Sequence, residues 1–261
     1  FRGIFTNHKQ AAYAAVYLSD ILERREVQIV YNETAYGESL RDSFAATFRE
    51  RGGSVVREDS LNPEQALELR RGRLQSICEQ VAARPEPVSL YLAIWYNDAA
   101  PLIACLRRKG REDLILGADD LAGLELEFRG DEYPEEQEHP GALSDGVYAV
   151  SALLFDVGGE TAQKLRRSYR ARFQGEPDWL VAVYYDSAFA VLEAIRRARL
   201  RDGGSIARQR ARVRAGMAAM NTPRRALPGA TGPLYFRGRD LNAYPDLGVF
   251  SRGRMVSTYS D

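Results

Sequence analysis

A chain of 261 residues is long enough for one large or two modest domains, each with its own core. With 45% apolar and 28% charged residues it is globular rather than disordered. Its 36 basic and 36 acidic residues cancel, which argues against a dedicated nucleic-acid binder. No run approaches the roughly 18 apolar residues of a membrane helix. No signal peptide is visible, and in a chain starting at Phe1 that says nothing about compartment. Only Lys9, Lys109 and Lys164 are lysines, and the arginine excess reads as compositional bias.

Residues 10–23 read as an amphipathic helix. A strand at 27–31 then leads through "NETAYG" into a helix at 37–51, which "GG" at 52 and 53 stops. "SVVRED" is a second strand. A helix over 62–84 follows, with Pro63 near its first turn. "PVSLYLAIW" is a third, central strand, and a helix at 99–109 ends at Gly110. "DLILGADD" is a fourth strand with a polar exit, and "GVYAVSALL" a fifth. This alternation predicts an α/β fold with a doubly wound parallel sheet in the order 2-1-3-4-5. Cys78 and Cys105 match no metal or redox spacing. They read as buried free thiols, with a disulfide left open because that order sets their helices side by side.

Beyond residue 157 the pattern changes to helices at 160–173, 179–199 and near 204–219, followed by short strands around "GPLYF", "YPDLGVF" and "RMVSTY". The apolar positions Val181, Tyr185, Ala188, Leu192 and Ile195 of the second of these helices fall on one face. The strands look too few to cover three amphipathic helices, so the expectation is an incomplete second lobe, with cover by another chain as the alternative. The acidic loop 128–141 reads as a solvated surface loop. Eight arginines between 196 and 214 read as the solvated faces of two helices joined at Gly203 and Gly204, against the alternative of an anionic-surface patch.

Enzyme motifs are absent: there is no GxSxG, P-loop, GxGxxG or HExxH. His8 and His139 are not placed to act as bases. What remains is positional, since open parallel sheets bind ligands beyond the carboxyl ends of their strands. That rim holds Asn32, Glu33 and Tyr36 after the first strand, and Asp59 and Ser60 after the second. Trp95, Tyr96, Asn97 and Asp98 follow the third strand, and Asp119 and Asp120 the fourth. Aromatic faces beside carboxylates suit a small molecule with a cationic or amino group and an apolar body. Bland roles compete: Asp98 as the N-cap of helix 99–109, Asp120 as the cap of a short helix through Leu124, and Trp95 as covered core. Asp119 is the hardest to dismiss.

Four blocks in order resemble the type I periplasmic binding proteins, in the branch of receptors for branched-chain amino acids and amides. They are "RGIFTNHKQAAYAAVYL", "VQIVYNETAYGESLRDSFAATFRERGGSVV", "YRARFQGEPDWLVAVYYDSAFAVLEAIRRA" and "LPGATGPLYFRGRDLN". The resemblance implies a lobe crossover at 1–25, a ligand-binding α/β lobe at 26–150, helices of an incomplete first lobe at 151–230, and C-terminal strands at 231–261. It implies that Tyr36, Trp95 and Tyr96 face a ligand and that Asp119 takes its α-ammonium, without metal or other cofactor. The family's carboxylate-holding loops have no counterpart here, so the chain is expected to be a fragment. The implied function is a periplasmic or membrane-anchored extracellular receptor that closes on an amino acid or related amino compound and passes it to an ABC-transporter permease. It would work as a monomer or weak dimer, without nucleic acid. A ligand-sensing domain attached to a signalling protein is the alternative; an enzyme or nucleotide binder on a flavodoxin-like sheet is the remote one.

Overall fold

The strands that alternate with helices over residues 26–151 join one sheet. The computed structural model describes residues 1–200 and 205–258. In chain order the elements are α1 (Asn7–Val16, continued by a π-helical turn Tyr17–Ile21), β1 (Glu26–Asn32), α2 (Ala35–Glu50), β2 (Ser54–Leu61), α3 (Leu67–Ala82) and β3 (Ser89–Ala93). Next come α4 (Tyr96–Arg108), β4 (Ile115–Gly117), a 3-10 turn Asp119–Gly123, the short α5 (Leu124–Glu127) and α6 (Pro134–Glu138), and β5 (Val147–Ser151). Then follow α7 (Glu160–Phe173), α8 (Trp179–Ala198), α9 (Ile206–Ala218), β6 (Leu227–Pro228), β7 (Pro233–Leu234), β8 (Phe236–Arg237), β9 (Asp240–Leu241), β10 (Asp246–Ser251) and β11 (Arg254–Ser257). The chain divides into two compact units: Thr6–Ser151 with Pro245–Asp261, and Phe1–Phe5 with Ala152–Tyr244.

The larger unit holds a seven-stranded sheet in the order β11-β10-β5-β4-β3-β1-β2, so the expected 2-1-3-4-5 core is present and extended by two strands. β1 to β5 pair in parallel, whereas β10 joins β5 and β11 antiparallel. A continuous apolar core lies between the sheet and α3 and α4, with Val30, Leu61, Leu74, Ile77, Leu92, Ile103 and Ile115 all buried. Two buried carboxylates are neutralised by arginines. Asp59 accepts from Gln28, Arg57 and Arg73, each at 2.8 Å. Asp98 pairs with Arg70 at 3.1 Å.

Several sequence expectations shift. α3 begins at Leu67 rather than 62, because Asn62 Oδ1 accepts the Glu64 N–H at 2.9 Å and holds residues 62–64 in an Asx turn outside the helix. α4 begins at Tyr96, which moves Asp98 from the cap into the first turn and into its ion pair. Cys78 and Cys105 are not free thiols but a disulfide joining α3 to α4. The segment 128–141 is partly packed rather than wholly solvated: Phe128 and Tyr133 are buried. The buried Glu136 carboxylate accepts the N–H groups of Gly141, Leu143 and Ser144 and the Ser144 hydroxyl.

In the smaller unit α8 packs on its small-residue side, and its apolar face lacks cover among the described residues. Its inner stripe is Ala182, Asp186, Ala190, Ala194 and Ala198, while Tyr185, Leu192 and Ile195 are exposed. Close helix approach explains the small residues of the inner stripe. A Cβ on Gly216 of α9 would lie 2.8 Å from the Ala194 carbonyl oxygen, so only small residues fit along this seam. Asp186 anchors α8 to the loop before β7, accepting the N–H groups of Ala230 (2.7 Å) and Thr231 (2.8 Å) and the Thr231 hydroxyl (2.6 Å). The expected joint at Gly203 and Gly204 lies outside the described residues, as does the end of the strand expected at "RMVSTY".

Candidate functional site

The parallel strands bring their carboxyl ends to one edge of the sheet in the larger unit. After β1, Thr34 caps α2 by accepting the Gly37 N–H at 3.2 Å, which puts Tyr36 in the first helical turn. Glycine at 37 follows from the tightness of this turn: a Cβ there would lie 2.2 Å from the Asn32 carbonyl oxygen. After β4, Asp119 opens the 3-10 turn, and its N–H donates to the side-chain carbonyl of Gln10 on α1 at 2.9 Å.

These two exits meet. The Tyr36 hydroxyl donates to Asp119 Oδ1 at 2.6 Å. Tyr91 of β3 belongs to the same electrostatic group. Its ring stacks on Phe44 at 3.8 Å, and its buried hydroxyl has no hydrogen-bond partner among the described residues. Burial first, and the Asp119 charge second, hold both phenols well above their ordinary range. Both are therefore neutral donors at any physiological pH.

Tyr96 is tied to the same turn through its backbone. Its N–H donates to Asp120 Oδ2 at 2.7 Å, so Asp120 caps α4 and not, as the sequence suggested, a short helix through Leu124. Burial raises the Asp120 carboxyl, the Tyr96 N–H opposes that rise, and neighbouring Asp119 adds to it. The Tyr96 ring lies over Gly123, where a Cβ would come within 2.8 Å of it. Trp95 occupies the N-cap position of α4 with no side-chain cap bond, and is half-buried rather than covered core.

Of the four sequence candidates, Tyr36 and Asp119 touch directly, and Tyr96 reaches the same turn through Asp120. Trp95 stands beside Tyr96 with no hydrogen bond to the group among those described. Asp59 and Asp98 are committed to arginines. Asn32 is buried with both amide ends unpaired among the described residues, and nothing in the structure explains it. Sequence reasoning missed Gln10 and Tyr91. The signal for Gln10 was its place on the buried stripe with Ala11, Ala14 and Ala15; Tyr91 was hidden inside the apolar run of β3. His8 is exposed and bonds Ser43 at 3.3 Å, away from this rim. Among the described residues no cluster of His, Cys, Asp or Glu could hold a metal.

A carboxylate held by the neutral Tyr36 phenol, with aromatic side chains alongside, can accept a cationic or amino group and pack an apolar body. The doubly wound larger unit has the type I periplasmic-binding-protein fold. A sequence profile described as periplasmic binding protein matches residues 1–250, and the chain belongs to that family, which consists of binding proteins.

Solved structures are similar in fold. One is an ABC-transporter solute binding protein from R. palustris in complex with benzoate (TM-score 0.78, 18% identity, 99% of this chain and 64% of that one). Another is a leucine binding protein from Thermotoga maritima (TM-score 0.74, 20% identity, 97% and 65%). A third is a branched-chain amino acid transporter substrate binding protein from Streptococcus pneumoniae in complex with isoleucine (TM-score 0.75, 18% identity, 98% and 65%). The chain thus spans just under two thirds of these proteins. Among curated protein sequences none matches it.

Proposed function

We propose that the chain is the receptor part of an ABC importer, acting outside the cytoplasm, and that it binds an amino acid or related small amino compound. The observation that carries this reading is the Tyr36–Asp119 pair at the junction of two strand exits. Asp119 takes the ligand's ammonium, while Tyr36, Trp95 and Tyr96 pack its body. Binding favours a closed arrangement of two lobes because only there do both touch the ligand, and the closed form delivers the ligand to a membrane permease. Leucine and isoleucine receptors among the fold relatives support this ligand class. The Cys78–Cys105 disulfide supports an oxidising, extracytoplasmic compartment.

The test is a thermal-shift screen against amino acids, short amides, polyamines and aromatic acids. A ligand at about 100 times its dissociation constant stabilises by about 2.7 kcal/mol, a shift of a few degrees. The expected result is a shift with an amino compound, reduced at least about tenfold in affinity by Asp119→Ala, since stranding a buried charge costs about 3–5 kcal/mol. A shift with benzoate alone, or undiminished amino-acid affinity in Asp119→Ala, would overturn the assignment.

A further inference from the structure

β4 ends at Gly117, and from there the chain turns away from the sheet. Ala118 still donates to the Leu92 carbonyl of β3 at 3.1 Å, and the Leu121 N–H turns back to the Ala118 carbonyl at 3.1 Å. The Asp119 N–H lies between these two bonds. Its acceptor among the described residues is the side-chain carbonyl of Gln10, at 2.9 Å. The turn folds tightly on the strand it leaves: a Cβ on Gly117 would come within 2.5 Å of Leu121 Cβ. Asp119 therefore has little room, and its few bonds decide where its carboxylate stands.

Gln10 is a costly occupant of its position. It is 1% exposed, on a buried stripe of α1 whose other members are Ala11, Ala14 and Ala15. A buried amide costs free energy unless it is hydrogen-bonded, and a glutamine loses rotamer freedom when it is held. Alanine has the higher helix propensity there. Helices α1 and α2 pack against each other, and both reach residue 119. α1 holds its N–H through Gln10, and α2 holds its Oδ1 through the Tyr36 hydroxyl at 2.6 Å. The Tyr36 bond sets the rotation of the carboxylate; the Gln10 bond sets the main chain that carries it.

We propose that Gln10 is a positioning residue of the site: it holds the Asp119 main chain where the carboxylate meets a ligand's amino group. The inference rests on the reading of Asp119 as the acceptor of that group. Without Gln10 the Asp119 N–H finds water only if the turn shifts. Binding then has to pull the turn back and leave the N–H unpaired, and affinity falls. If Gln10 merely satisfied a buried donor, its loss would cost stability but would not act on affinity through Asp119.

The experiment is a double-mutant cycle on the full chain, read by calorimetric titration with L-leucine and with putrescine, an amine without a carboxylate. Gln10→Met keeps the side-chain length and removes the acceptor. Gln10→Ala removes the acceptor and suits the helix, and it carries the cycle if circular dichroism shows the Met variant misfolded. Each is combined with Asp119→Ala, which keeps the N–H but removes the carboxylate. Each Gln10 variant should lower affinity about tenfold, the size expected when a buried N–H loses its partner. The two should fall alike, and neither should lower affinity further once Asp119 is alanine. If Asp119→Ala leaves no measurable binding, equal losses in the Met and Ala variants support the proposal and unequal ones overturn it. Undiminished affinity in both Gln10 variants overturns it. So do losses that multiply to about 100-fold in the double variants, which mark an effect independent of Asp119, and a loss with alanine but not methionine, which marks side-chain volume. Undiminished affinity in Asp119→Ala alone, or no heat from either compound on the native chain, would instead overturn the receptor reading, and this inference with it.

Discussion

Reducing the Cys78–Cys105 bond tests the larger unit without altering any side chain of its core. The bond closes a loop of 27 residues between α3 and α4. Chain-entropy estimates for a loop of that size give about 3.5 kcal/mol of stabilisation, by restricting the unfolded chain. Two tryptophans allow the effect to be localised: Trp95 lies in the larger unit and Trp179 in the smaller. In a Trp179→Phe background, Trp95 fluorescence follows urea unfolding of the larger unit alone. The midpoint should drop on adding dithiothreitol by an amount equivalent to about 3–4 kcal/mol, and the slope should rise because the reduced unfolded chain exposes more surface. A Cys78→Ala, Cys105→Ala double variant should show at least the same loss and no further response to reductant. A loss below about 1 kcal/mol on reduction would refute the argument that the bond constrains the unfolded chain.

Three further outcomes follow from individual contacts. Asp186→Ala removes the acceptor for two backbone N–H groups and a hydroxyl and should cost the smaller unit about 3–5 kcal/mol, read by Trp179 fluorescence in a Trp95→Phe background; a loss under about 1 kcal/mol would show that water replaces the carboxylate. Gly37→Ala drives a methyl group into the Asn32 carbonyl and should destabilise the larger unit by about 1–3 kcal/mol, whereas an unchanged urea midpoint would contradict the tight turn. Hydrogen bonds from Arg196 and Arg197 hold the Glu193 carboxyl down at about 2, below its usual 4.5. Its contribution is therefore present above pH 4.5 and lost as pH falls towards 2. At this surface site it should stay below about 1 kcal/mol. The gap in thermal midpoint between the native chain and Glu193→Gln should be visible at neutral pH and vanish in strong acid, and a gap independent of pH would show that the ion pair is not its source.

The β1–α2 block was legible because its cues are local. A run of β-type residues, the polar stretch "NETAYG" and the stopping pair Gly52 and Gly53 bracket the strand and the helix within one short block. The sheet order was legible because parallel crossovers allow few arrangements. The errors came from contacts made far along the chain. The cap on α4 comes from Asp120, 24 residues beyond the N–H it accepts, and no rule about neighbouring residues anticipates it. The small-residue stripe of α8 was not read, because the close approach between Ala194 and Gly216 is a contact between two helices. In the candidate site Tyr36 and Asp119 could be named from strand ends. Gln10 could not, because its partner is the Asp119 N–H, 109 residues away.

The way Tyr96 is held bears on how such a rim diversifies. Its position is fixed by its main-chain N–H on the Asp120 carboxylate, not by any bond from its ring. The start of α4 therefore reads position 96 through its peptide group, while the ring packs over Gly123. Exchanging its side chain leaves the start of α4 intact, provided Asp120 is kept. Under the proposed reading, position 96 is thus a place where single substitutions would change what is bound, whereas a change at Asp120 would remove the acceptor that holds the helix start.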